Sequence, residues 1–319
     1  APSNLHEVRS PIVGTFYLVV LGHIGGLLLL NQFGQSAPEA TVLAFLGENA
    51  RTKVAGVLAA GLVVAIVGLV DDWRPMSPLV KLFGQFAAAV ILPLSGIQLE
   101  AFILPGLLGV AATILWVLFI TNALNFLDNM DGLCAGVALI AAAALFVAEQ
   151  PFDQHLVREL LVIFAGPVGG FLHFNLNPAR IFMGDTGALF IGFMLATFAL
   201  LGTFHVETSP TRAAVFAPVL ALSVPLFDTF SVLYIRWRSG QPLWRGDNRH
   251  FSHRVVELGM TQRQAVEFIY LVAGVVGLGA ALLPLVGLTG TVIVVVQSLG
   301  VFLLIVLLMN TGRGATGRG

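Results

Sequence analysis

Residues 101–133 read AFILPGLLGVAATILWVLFITNALNFLDNMDGL. Twenty-seven of them, Ala101–Leu127, pass without a charge, and two aspartates, Asp128 and Asp131, then arrive within four positions. About 20 consecutive apolar residues suffice to cross a bilayer as a helix. Inside lipid every backbone polar group must be paired, so only helices and closed barrels are available. The apolar positions here are continuous rather than alternating, which selects a helix over a barrel strand. The stretch predicts an all-α, membrane-spanning fold with carboxylates gathered where a span ends.

The same pattern extends in both directions. Charge-free runs cover Ser10–Pro38, Val54–Val70, Leu82–Leu99, Gly132–Ala148, Leu160–Ala179 and Thr186–Val206, and Phe268–Gly312 holds 45 residues without a charge. Ten spans are expected, near 11–31, 53–70, 82–98, 105–123, 132–148, 159–176, 187–205, 213–235, 264–284 and 290–309. The first run is too long for the apolar core of a signal peptide. Charged residues make up 10% of the 319 and apolar ones 57%, against roughly 25% charged in soluble domains. A water-soluble globule and a disordered chain are both excluded. The net charge of −1 implies no nucleic-acid partner, and the one cysteine, Cys134, allows neither an intrachain disulfide nor a Cys-rich metal site. A single transmembrane domain over residues 1–319 is expected, with polar loops near 71–81, 122–133, 175–187 and 236–263.

Alternate loops place twelve of the sixteen Lys and Arg on one side, which the positive-inside rule assigns to the cytoplasm. Seven of the eight aspartates (71, 72, 128, 131, 185, 228 and 247) lie on or near that side. Several stand directly against apolar runs, and an acid at membrane depth is a functional candidate by default.

Four constellations carry chemistry. Asp71-Asp72 end a span, and an adjacent pair of carboxylates suits a divalent cation or a base. Lys81 follows at the start of the next span, placed either to snorkel or to hold a phosphate. Asn125, Asp128 and Asp131 would spread over about 120° of one helix face, an oxygen-only set that selects Mg²⁺ or Mn²⁺ over zinc. In Asn175–Gly187, Asp185 stands between Gly184 and Gly187 at a helix start, where phosphate is attracted. In 245–254, three arginines and two histidines, His250 and His253, make an anion site. Asp228, inside the preceding span, would pair with a loop arginine or serve the structure. His23 and His173, within apolar runs, read as core histidines. Carboxylates, Asn, Lys, Arg and His beside lipid suit phosphate chemistry at the membrane surface.

The ordered set of motifs resembles the polyprenyl-phosphate N-acetylhexosamine-1-phosphate transferases (glycosyltransferase family 4). It comprises Gly68-Leu-Val-Asp71-Asp72, Lys81-Leu-Phe-Gly-Gln85, Asn125-Phe-Leu-Asp128-Asn-Met-Asp131-Gly132-Leu133, Phe174-Asn175, Phe182-Met-Gly184-Asp185-Thr-Gly187, Pro225-Leu-Phe-Asp228-Thr229 and Asp247-Asn-Arg-His250-Phe-Ser-His253-Arg254, over roughly residues 6–265. The resemblance implies transfer of a sugar 1-phosphate, N-acetylglucosamine 1-phosphate or that of another N-acetylhexosamine, from a UDP-sugar donor to a polyprenyl phosphate acceptor, releasing UMP, as a first step of lipid-linked cell-envelope glycan synthesis. It implies Mg²⁺, with Mn²⁺ as a substitute, held by Asp185 and Asn125. Asp71 would be the base, with Asp72 beside it and Asp131 as a further active-site acid. Lys81 would clamp the lipid phosphate. Asn175, Phe182, Gly132 and Leu133 would form the uridine pocket, with Asp128 also on the substrate side. Arg249, His250, His253 and Arg254 would bind the sugar and diphosphate. The short 236–263 loop is like that of bacterial members, so a multi-pass protein of the bacterial cytoplasmic membrane is expected, its site facing the cytoplasm, with room for a homodimer. Direct attack and a phospho-aspartate route both fit these residues.

Two departures stand out. The N-acetylglucosamine branch usually reads His-x-His-His, and Ser252 occupies the central histidine position here. The triple histidine of the muramoyl-pentapeptide branch is absent. The family also has a helix ahead of the segment matching His6–Gly14, so a chain lacking that helix is expected. A CDP-alcohol phosphotransferase shares only the opening Asp128-x-x-Asp131-Gly132 of its signature. A transporter would carry its acids nearer the midplane.

Overall fold

The computed structural model describes residues 48–99, 106–152, 155–202, 212–241 and 250–316. These are helical, with no strand among them. The span expected near 11–31 and His23 lie outside the described residues. In chain order the helices are α1 Glu48–Trp73, α2 Pro78–Leu94, α3 Leu107–Leu127, α4 Leu133–Ala148, α5 His155–Asn175, α6 Gly184–Leu201, α7 Ala217–Ala221, α8 Ser223–Arg238, α9 Phe251–Glu257, α10 Gln262–Leu282 and α11 Leu288–Thr316.

Seven helices among the described residues are long and apolar enough to cross a membrane, and the bent pair Arg212–Ala221 and Ser223–Arg238 has the length and composition of a broken span or a re-entrant loop. The protein is an all-α, polytopic membrane protein. The span expected over 213–235 bends by 69° between Ala221 and Ser223. Pro225 explains the break, because it has no N–H to donate to the carbonyl four residues earlier, at Ala221. At 17 residues, α2 sits at the lower limit for a span.

Local signals set the helix starts. Ser77 is extended (φ −65°, ψ 147°) ahead of Pro78, and its hydroxyl accepts from Val80 N. Thr261 and Gln264 form a reciprocal capping box at the head of α10. Gly132, at φ 77°, turns the chain into α4 through a conformation that costs glycine little.

The chain divides into two compact units. The first holds α1, α2, α3 up to Asn125, α5 and α6, and the second holds the rest of α3, α4 and α7–α11. In the first unit α1 packs on α2 and α6, and 72% of the α6 span is buried. In the second, α4 packs on α10 and α7, and its small residues, such as Gly136 and Ala141, permit close helix approach. Leucines and valines along α11 remain exposed, as lipid contact requires. His173, expected in the core, is exposed near the end of α5 and meets Phe174 edge-on at 5.0 Å.

Candidate active site

In the first unit, the last turn of α1 delivers Asp71 and Asp72. Consecutive helical residues point about 100° apart, so the two carboxylates diverge rather than pinch a common ion. Asp71 Oδ1 accepts the Met76 amide at 2.6 Å, which folds the 74–77 link back on the helix end. That turn brings Lys81, in the first turns of α2, within 3.0 Å of Asp71 Oδ2. The same ammonium donates to Asp185 Oδ1 on α6. Lys81 therefore bridges two carboxylates from separate helices, with only 15% of its side chain exposed. It does not snorkel to water.

Asp72 turns the other way. Its Oδ1 accepts the Asp185 amide at 2.8 Å, and its Oδ2 accepts the Thr186 amide at 3.0 Å and the Thr186 hydroxyl. These are first-turn donors of α6, which lack intrahelical acceptors. Two glycines make the approach possible. A Cβ on Gly68 would fall 2.4 Å from Thr186 Cα, and one on Gly184, where φ is +66°, would fall 2.9 Å from Asp72 Oδ2.

Asn125 is half-buried near the end of α3. One turn earlier, the Asn122 and Gln85 side-chain amides bond reciprocally, and Gln85 follows Lys81 by one turn on α2. That bond ties α3, three residues before Asn125, to the helix that carries Lys81. Among the described residues no group of three or more acidic, His or Cys side chains forms a ready cage for a metal. The donors fit a hard cation that takes one or two protein oxygens and completes its shell with water and phosphate. Asp185 is the accessible carboxylate, 34% exposed against 9% for Asp71.

Two further expected residues flank the link between α5 and α6, Asn175 as the last residue of α5 and Phe182 in the loop. Asn175 is buried, and its amide donates to the Ile181 carbonyl at 2.8 Å, so it shapes the loop. Phe182 exposes half its surface and is free to stack.

The second unit corrects one expectation. Asp128 and Asp131 do not continue the helix face of Asn125: α3 ends at Leu127, and both lie in the turn before Gly132. The left-handed Gly132 and the bond from Leu133 N to Met130 O close that turn. The Gly132 carbonyl accepts the Tyr270 hydroxyl from α10, and Leu133 is fully buried.

Asp228, expected to pair with a loop arginine or to be structural, accepts from His250 Nδ1 at 2.7 Å and from the Phe251 amide at the head of α9. The Phe126 ring lies 6.1 Å from the His250 ring. Arg254 donates to Ser231 Oγ at 2.6 Å. Ser252 is fully buried and donates to Asn129 Oδ1 at 2.6 Å. His253 is half-buried, and Arg249 lies outside the described residues.

Sequence reasoning did not single out Gln85, Asn129, Thr186, Ser231 or Tyr270 as site residues. Gln85, Asn129 and Thr186 stood inside motifs already quoted, Ser231 stands one turn after Asp228 on the same helix, and Tyr270 left no signal. All are ordinary polar residues until the fold supplies their partners.

A helical membrane domain that brings two Asp and a Lys together at helix ends has the groups that a membrane-embedded transferase of phosphate-linked groups needs. The model described as glycosyl transferase family 4 matches residues 54–203. A Bacillus subtilis protein named "probable undecaprenyl-phosphate N-acetylglucosaminyl 1-phosphate transferase" is 29% identical over 292 residues, covering 88% of this chain and 76% of its own. The decaprenyl-phosphate N-acetylglucosaminephosphotransferase of Mycobacterium tuberculosis is 32% identical over 308 residues, covering 87% and 73%. A phospho-N-acetylmuramoyl-pentapeptide-transferase of Desulforudis audaxviator is 31% identical over 302 residues, covering 84% of each chain. The chain belongs to the polyprenyl-phosphate N-acetylhexosamine-1-phosphate transferases of glycosyl transferase family 4.

Proposed function

We propose that this protein transfers an N-acetylhexosamine 1-phosphate, most simply N-acetylglucosamine 1-phosphate, from a UDP-sugar to polyprenyl phosphate. The reaction runs at the cytoplasmic face of a bacterial cytoplasmic membrane. In the net change, an acceptor phosphate oxygen bonds to the sugar-bearing phosphorus of the donor. The bond from that phosphorus to the bridging oxygen breaks, and UMP leaves with the electron pair.

The observation that carries this reading is the Lys81 bridge between Asp71 and Asp185. An ammonium in that place neutralises two carboxylates and is positioned to meet an incoming phosphate. Asp71 takes the acceptor's proton where one is present. Asp185 and Asn125 would hold Mg²⁺, or Mn²⁺, which supplies charge neutralisation on the donor diphosphate. Phe182 stacks on the uracil. In the second unit, His250, held by Asp228, and Arg254, held by Ser231, are assigned to the donor's sugar and phosphates. The relatives' acceptors and the excess of Lys and Arg on one side support the acceptor class and the orientation.

The test uses purified full-length protein in nanodiscs with polyprenyl phosphate and a panel of UDP-N-acetylhexosamines. UMP and lipid-linked product should form together in Mg²⁺, stop with EDTA, and return with Mg²⁺ or Mn²⁺. No product from any donor, or UMP release that ignores the lipid acceptor, overturns the proposal.

A further inference from the structure

We propose that Asp72 is a positioning residue: it caps α6 from the end of α1 and so fixes Asp185, without itself exchanging a proton or touching substrate. The inference rests on the transfer reaction proposed above.

The residue preceding α6 is Met183, whose side chain offers no oxygen to cap it. The first-turn amides of a helix nevertheless need acceptors. Asp72 provides both oxygens, taking the Asp185 amide, the Thr186 amide and the Thr186 hydroxyl. The partial positive charge of a helix N-terminus favours an anion at this place.

Access points the same way. Gly68 lies against the Thr186 backbone so tightly that a methyl group would not fit, and Gly184, at φ +66°, lies against the Asp72 carboxylate, where a methyl group would push that carboxylate aside. The ends of α1 and α6 thus touch nearly backbone to backbone around Asp72. Asp71, one residue earlier and about 100° around the helix, is the carboxylate that meets Lys81. The adjacent pair divides its labour, with one carboxylate toward the Lys81 cluster and the other toward the scaffold. Because the Asp185 amide is held, the path of its backbone is set, and its side chain reaches Lys81.

Asn and Ala separate this role from a proton-accepting one. Asparagine keeps one acceptor oxygen for the cap and loses the base, whereas alanine loses both. In nanodiscs, Asp72→Asn should retain at least about tenfold more kcat than Asp72→Ala, with donor KM within about threefold of wild type in both. Amide exchange at Asp185 and Thr186, followed without substrate or metal, should quicken about tenfold in Asp72→Ala, less in Asp72→Asn, and stay unchanged in Asp71→Asn. Equal loss of kcat in the two Asp72 variants overturns the proposal, as does unchanged exchange in Asp72→Ala. Should the alanine variant fail to fold, Asp72→Asn is compared with Asp71→Asn. At least about tenfold more turnover in the former is expected, and equal loss overturns the proposal. Absence of transfer by the wild-type protein would instead remove the reaction assignment, and the exchange order would still decide the cap.

Discussion

Asp228 and His250 form one hydrogen-bonded unit in the second half of the chain, the fully buried carboxylate accepting the ring Nδ1 at 2.7 Å. The Phe251 amide donates to the same carboxylate. A partner of this kind decides which ring nitrogen carries the proton and holds the imidazole in one orientation.

Breaking that unit should therefore resemble losing the histidine. Asp228→Asn is expected to raise the donor KM about tenfold or more, since the lost bond to a charged group is worth about 1.5–3 kcal/mol. The double variant with His250→Ala should be little worse than His250→Ala alone. Steady-state kinetics on the four proteins of this cycle measure the coupling.

Removing the Lys81 ammonium leaves Asp71 and Asp185 facing each other without the charge between them. Lys81→Met is expected to lower transfer by at least about 100-fold. Lys81→Arg should not restore it, because a planar guanidinium does not replace a compact ammonium between two carboxylates. Lipid-product formation at saturating donor checks both.

Gly68→Ala would place a Cβ 2.4 Å from Thr186 Cα, a backbone atom that cannot rotate away. Overpacking of this kind costs about 1–3 kcal/mol. The expected result is a fall in the thermal midpoint in detergent of about 2–4 °C per kcal/mol, together with reduced turnover, because the shift displaces Asp185. Differential scanning fluorimetry and the transfer assay report the two effects.

Ser252 is buried with its hydroxyl on Asn129, so it serves the packing of the 250–254 segment. Ser252→Ala should cost about 1 kcal/mol of stability and leave the ratio of kcat/KM between UDP-N-acetylhexosamines within about twofold. Ser252→His should lose stability through overpacking. A donor competition assay and thermal unfolding test both statements.

Much of the architecture was legible along the chain. The expected spans overlap α1–α6, α10 and α11, with ends that differ by up to seven residues, because hydropathy is a local property of consecutive side chains. The failures are also physical. The break in the span over 213–235 depends on one missing proline N–H at Pro225. Asp128 and Asp131 lie in the turn between the end of α3 at Leu127 and the positive-φ Gly132 that starts α4, so the helical spacing that would have aligned them with Asn125 does not apply.

By itself, the sequence determined that this is a polytopic helical membrane protein, which family it resembles, and which acids stand beside lipid. A bilayer excludes charge, so the few carboxylates left against apolar runs identify themselves. Tertiary structure alone decided what each carboxylate does. Asp71 and Asp72 are chemically identical neighbours, and only folding brings Lys81 to one and the start of α6, more than 100 residues away in the chain, to the other. Asp228 likewise acquired its histidine only when α8 and the head of α9 came together. Hydrogen bonds need contact within about 3 Å, and contacts between residues so distant in sequence exist only in the packed chain.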